Sequence, residues 1–274
     1  MKTNELFVCL FLSVCVAVVQ SEALAAPSVP GYTVDVYADG MTDPAQLSFG
    51  PNGELFVGRG DNDTNVSIYR IAPGGGPGSV SSYGQPVWDP DPVAYDASGA
   101  ISGTPGAVLT GGGIWGPAHI TAILPDGTAQ QLWPPPPVVF NNPTDMVFDS
   151  TGRLLFTDSG YRMVYQTTGE NPTALFSVPG ISPLGIAVNS QDDIFVTYYG
   201  VSGQDIGRWS PDGTFLGTFV AGLPNEALTI SIGFSTGGVW GNNLYATAGP
   251  SLYRIDSDRN PTLIGTGFDG GCYD

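Results

Sequence analysis

The chain has 274 residues, 42% hydrophobic and 12% charged, with 39 glycines, 24 prolines and a formal net charge of −17. That composition suffices for one domain stabilised by packing, while so negative a field repels nucleic acids and anionic membrane surfaces and excludes nucleic-acid binding. One lysine, Lys2, and one histidine, His119, leave almost nothing for Schiff-base or histidine catalysis.

In chain order, Met1 to Ala25 reads as an export signal: Lys2, an apolar run from Phe7 to Val19, and Ala23-Leu24-Ala25 as a small-x-small cleavage site. The run is too short to span a bilayer, so the mature chain is expected to carry no transmembrane segment. Lipidation at Cys15 is disfavoured by Val14 before it. Residues 26–274 then form the folded domain, placed in a secreted, periplasmic or cell-surface location and expected to be monomeric. It keeps one cysteine, Cys272, so no intramolecular disulfide can form. Losing the signal removes the only lysine and leaves seven arginines against twenty-three carboxylates, a net of −16.

Tyr32 to Gly40 alternates as a strand does. A gapless phrase then recurs at Pro44–Val57, Pro143–Phe156 and Pro183–Val196, two alternating apolar runs separated by a Gly/Asn/Asp/Ser turn, which predicts a hairpin in each copy. A third strand follows at Ser67–Ala72, His119–Leu124, Met163–Gln166, Ile206–Trp209 and Ser251–Asp256. Turn residues come next, such as Pro125-Asp126-Gly127 and Pro211-Asp212-Gly213, and then a fourth strand. Asp126, Asp149 and Asp212 read as turn caps. The result is five four-stranded units, near 43–89, 91–140, 142–180, 182–223 and 225–268. The second is degenerate, with a mobile insertion expected over Gly99–Gly113, and Pro134–Pro137 is a stiff connector.

Four-stranded units at roughly forty-residue intervals predict an all-β propeller. Because Tyr32–Gly40 looks like a fourth strand lacking its blade, six blades with the last incomplete are favoured; five blades closed by an extra strand are the alternative.

Asn142 to Gly160, with its Pro-x-x-apolar hairpin, resembles the NHL-repeat and gluconolactonase-like six-bladed propellers over most of the mature chain. The resemblance implies a divalent cation, usually calcium, held at the channel mouth by acidic and asparagine side chains, and lactonase or esterase activity. Its Pro-Asn-Asp phrase corresponds to Pro143-Thr144-Asp145, and its Pro-Asn-Gly phrase to Pro183-Leu184-Gly185, so a carboxylate is kept and two asparagines are lost. Calcium takes six to eight oxygens, and the losses should weaken such a site. A quinone-dependent sugar dehydrogenase is also similar in its opening strand and first hairpin, but would want a histidine over the cofactor, and His119 lies in a third strand.

Asp43, Asp91, Asp145 and Glu226 stand near the starts of inner strands and are expected to ring the channel mouth, with Tyr161, Tyr198 and Tyr199 beside them. Besides Asp145, the candidate metal ligands are Asp61, Asp63 and Asn65, which alternate as in calcium loops but lack the glycine and glutamate of an EF-hand. The expected role is recognition of a small-molecule, carbohydrate or protein ligand at an acidic mouth, with Ca2+ as the one candidate cofactor. A divalent-metal lactonase or esterase is the alternative.

Overall fold

A computed structural model of the chain describes residues 27–60, 65–113, 118–133, 140–224, 231–235 and 242–268. The stretch read as an export signal, Asp61, Asp63, Glu226, Cys272 and Pro134–Pro137 lie outside them. Among the described residues twenty strands form five antiparallel sheets of four, each in simple up-and-down order. Blade one is β1 (Pro44–Phe49), β2 (Leu55–Arg59), β3 (Asn65–Ile71) and β4 (Val80–Trp88). Blade two is β5 (Val93–Asp96), β6 (Ala107–Gly112), β7 (His119–Ile123) and β8 (Ala129–Trp133). Blade three is β9 (Pro143–Phe148), β10 (Leu154–Asp158), β11 (Met163–Thr167) and β12 (Thr173–Ser177). Blade four is β13 (Ile186–Val188), β14 (Ile194–Tyr199), β15 (Gln204–Trp209) and β16 (Phe215–Leu223). Blade five is β17 (Ile232–Phe234), β18 (Leu244–Ala248), β19 (Ser251–Ile255) and β20 (Pro261–Thr266). No helix among the described residues is long and apolar enough to cross a membrane.

Burial follows from stacking. A second strand has a neighbouring blade on both faces, so β6 and β10 are buried at every position, whereas the outermost β12 shows only Phe176 fully buried. Each junction of consecutive blades holds a shared apolar cluster. Phe56 and Ile68 meet Val93 and Val108; Leu109 and Ile120 meet Met146 and Phe156; Leu155 and Val164 meet Ile186 and Val196; and Phe195 and Ile206 meet Ile232 and Leu244. Close approach at the top of blades one and two requires glycine. A Cβ on Gly58 would overlap the carbonyl oxygen of Asp91, and one on Gly112 that of Asp89.

The structure corrects two expectations. The described residues form five blades, not six, and Tyr32–Gly40 adds no strand to a sheet. Instead the segment crosses from blade five, where Ser28 forms an isolated bridge to Thr266, to blade one, where Tyr37, Ala38 and Met41 pack on Leu55, Val57, Tyr69 and Ile71. The expected insertion at Gly99–Gly113 is an ordered loop followed by the buried strand β6. The Asp96 carboxylate gathers the loop by accepting the main-chain N–H groups of Ala100, Ile101 and Ser102 and the Ser102 hydroxyl at 2.8–3.1 Å.

Candidate functional site

The innermost strands β1, β5, β9, β13 and β17 surround a cavity of about 990 Å3. Its walls are largely the apolar inner-strand side chains, among them Met146, Val147, Ile186, Ala187 and Ile232. Where inner strands turn into second strands the lining becomes polar, with Asn189, Ser190, Gln191 and Asn242; the turn after β19 adds Asp256 and Ser257, and Arg208, ion-paired with Asp193, also lines the cavity. Phe49 and Phe148 stand at the same end.

Among the described residues expected at the mouth, Asp145 alone lines this cavity. Strand register explains why. Leu47 pairs with Val57, Ala94 with Leu109 and Met146 with Phe156, which puts Asp145 level with Gln46 of blade one and Val93 of blade two. Asp43 and Asp91 therefore lie three and two residues upstream of that level, so these two and Asp145 do not stand on one ring. Asp91 is 3% exposed, and its carbonyl accepts the Gln46 N–H at 3.3 Å; Asp43 is exposed, with φ at 45°, and its carbonyl accepts the Gly60 N–H at 2.9 Å.

The Asp145 carboxylate is buried and works between blades: Oδ1 accepts the Met146 N–H and Oδ2 the Ile186 N–H, each at 2.8 Å. Beside it the Thr144 and Thr157 hydroxyls lie 2.9 Å apart. Thr144 donates to the Pro183 carbonyl at 3.0 Å and Thr157 to the Leu184 carbonyl at 2.7 Å. These residues do not fit a calcium site. The two positions where the resembled family has asparagine carry an engaged hydroxyl and the apolar, buried Leu184, and the one carboxylate already accepts two main-chain hydrogens. Among the described residues no group of three or more His, Cys, Asp or Glu side chains is placed to hold a metal. Asn65 opens β3 and is exposed.

The tyrosines divide. Tyr198 is 3% exposed inside the cluster between blades three and four, edge-on to Trp209 at 6.3 Å, and burial raises its phenol pKa. It is a core residue, not a mouth residue. Tyr199 is half-buried and exchanges main-chain hydrogen bonds with Ile181, whereas Tyr161 is 49% exposed at the tip between β10 and β11. His119 is buried in β7 opposite Gly112 and does not line the cavity.

One recurring site residue escaped the sequence reading. Thr110, Thr157, Thr197 and Thr247 occupy the same register position in the second strands of blades two to five, and Thr157, Thr197 and Thr247 bond to the main chain just ahead of an inner strand. Thr197 accepts the Gly185 N–H at 2.8 Å and Thr247 the Ser231 N–H at 3.2 Å. The phrases Leu-Thr-Gly, Phe-Thr-Asp, Val-Thr-Tyr and Ala-Thr-Ala carry the signal, which becomes visible once the copies are aligned past their turns.

The fold is shared with β-propellers of the gluconolactonase-like group. A gluconolactonase of Xanthomonas campestris, described as important in glucose secondary metabolic pathways, superposes with a TM-score of 0.62 at 18% identity, over 83% of this chain and 76% of its own. A chain of a nidogen/laminin complex gives 0.60 at 16% identity, over 79% and 78%. The pyrroloquinoline quinone-bound aldose sugar dehydrogenase of Streptomyces coelicolor gives 0.60 at 14% identity, over 87% and 84%. No protein-family model matches the sequence, and no curated protein does either.

Proposed function

We propose that this protein is an exported recognition module that takes a neutral, polyhydroxylated ligand of the carbohydrate type into its central channel. The cavity carries the proposal: its volume lies in the range of small-molecule sites, and its rim joins amide and hydroxyl groups to the aromatic faces of Phe49 and Phe148. Such groups hydrogen-bond hydroxyls in either direction, and of the charged lining residues Arg208 is already paired with Asp193. Binding, not turnover, fits the chemistry present, because Asp145 and Thr144 are engaged in joining two blades. The export signal and the strongly acidic, lysine-free mature chain support a place outside the cytoplasm. Titration of mono- and oligosaccharides by calorimetry tests the reading: binding weakened at least tenfold by Gln191→Ala or Asn242→Ala is expected, and a panel without any binder would refute it.

Lactone or ester hydrolysis is the second reading, favoured by the fold shared with the Xanthomonas campestris gluconolactonase. Glucono-δ-lactone hydrolysis above background, stimulated by calcium and abolished by Asp145→Asn in a protein still folded, would establish it.

A further inference from the structure

The cavity is lopsided. On blades one, two and three it touches innermost strands alone, β1, β5 and β9. On blade four it runs outward across every strand, from Ile186 in β13 through Phe195 in β14 and Arg208 in β15 to Phe219 in β16. Blade five follows suit, from Phe234 in β17 to Leu244 in β18 and Ile255 at the end of β19. The channel thus has a lateral arm between blades four and five. At the seam between blades five and one, which the Tyr32–Gly40 segment crosses, blade one contributes β1 alone.

Three rings and one guanidinium define the arm. The Phe195 ring lies 5.0 Å from that of Phe219 at 85° and 4.9 Å from that of Phe234 at 71°, so both neighbours meet it edge to face. Phe195 is 2% exposed and forms the floor, while the half-buried Phe219 and Phe234 form walls. Arg208 pairs with Phe195 across the strands and carries its guanidinium 5.7 Å from that ring's centroid. Asp193 Oδ2 accepts from its Nε at 3.0 Å and from its Nη2, which fixes the guanidinium plane, and Nη1 has no hydrogen-bond partner among the described residues.

The first junction carries the same pattern without the space. There Arg70 pairs with Glu54 and stands opposite Phe56, which packs against Tyr83 at 5.0 Å and Tyr95 at 5.8 Å, and neither Phe56, Arg70 nor Tyr83 lines the cavity. The arm is therefore a feature of one junction, not of the repeat.

Because Asp193 matches the charge of Arg208, the arm offers an anion little. Its flat guanidinium and ring edges suit the electron-rich face of a neutral aromatic ring. The amides assigned above to sugar hydroxyls, Gln191 and Asn242, belong to the same two blades. Resting on that carbohydrate reading of the channel, we propose that the arm is a second subsite, holding an aromatic ring joined to the sugar, so that the ligand is an aryl glycoside.

Calorimetric titration with the methyl, cyclohexyl and phenyl β-glycosides of glucose and galactose tests it. A phenyl glycoside should bind about tenfold more tightly than its methyl counterpart, and more tightly than the cyclohexyl one, which is of similar size but has no π face. Phe219→Leu and Arg208→Lys, each checked for folding by thermal unfolding, should cut the phenyl advantage about threefold or more, whereas Gln191→Ala should weaken both glycosides and keep their ratio. Saturation-transfer NMR on the unmodified protein needs no variant to fold, and the phenyl protons should receive the largest transfer. Phenyl glycosides that bind no better than methyl or cyclohexyl ones, or a largest transfer to the sugar protons, overturn the inference and leave the channel reading standing. Absence of binding by all of these glycosides overturns the channel reading and the inference with it.

Discussion

The carboxylate of Asp145, in the first strand of blade three, accepts the main-chain N–H of Ile186, in the first strand of blade four, at 2.8 Å. A side chain that the family pattern marks as a cation ligand is here a clasp between blades. Asp145→Asn keeps one acceptor oxygen and should cost less than Asp145→Ala, which strands a buried N–H and should lose roughly 1–3 kcal/mol. Urea unfolding of both variants checks the order.

Thr157 and Thr110 make a matched pair. Thr157 donates to the Leu184 carbonyl, while among the described residues the fully buried Thr110 hydroxyl has no hydrogen-bond partner. Thr157→Val should therefore destabilise by about 1–3 kcal/mol, and Thr110→Val should be neutral or stabilising, because it removes an unsatisfied polar atom of the same shape. Equal losses in the two variants would contradict the assignment.

Gly58→Ala and Gly112→Ala should each destabilise by roughly 1–3 kcal/mol or more, since the new methyl group meets a main-chain oxygen with no flexible side chain to yield. Thermal unfolding of the two variants, with Gly233→Ala as a control for loss of glycine alone, measures the difference; a Cβ on Gly233 would have nothing within 4 Å.

Acid should weaken the turn of blade three. Burial acts to raise the Asp149 pKa, but hydrogen bonds from the Thr151 hydroxyl and from Arg153 at 2.7 Å, and the Arg153 charge, outweigh it and hold the carboxyl below its ordinary value. The contribution is then complete above the unfolded value near 4 and fades as pH falls through the lower folded value. Asp149→Asn should cost roughly 1.5–3 kcal/mol at pH 7. Denaturant midpoints of variant and parent should converge towards pH 2; a constant gap across that range would count against the carboxylate.

The blades were legible because each copy begins Pro-x-x-apolar and a turn of Gly, Asn, Asp or Ser separates strands that alternate. The same alignment shows why the acidic mouth was not: counted from Pro44 and Pro143, Asp43 and Asp145 fall at different steps, and the register of β1 and β9 converts that offset into different depths. Tyr198 misled because a strand-end aromatic reads alike in sequence whether it faces a channel or a neighbouring blade. The path of Tyr32–Gly40 was hidden for another reason. Its alternation is real, but its partners are the end faces of blades one and five, 17 to 34 residues away in blade one and more than two hundred in blade five, and local pattern carries no information about such distances.

Because a separate segment spans the seam, the number of blades is not dictated by the packing of those already present. Duplicating or deleting one repeat in the gene would change the angle this segment must cover while leaving the remaining nearest-neighbour clusters intact. Closure by a strap thus lets copy number drift in evolution, and a lineage could pass between rings of different size without rebuilding any blade.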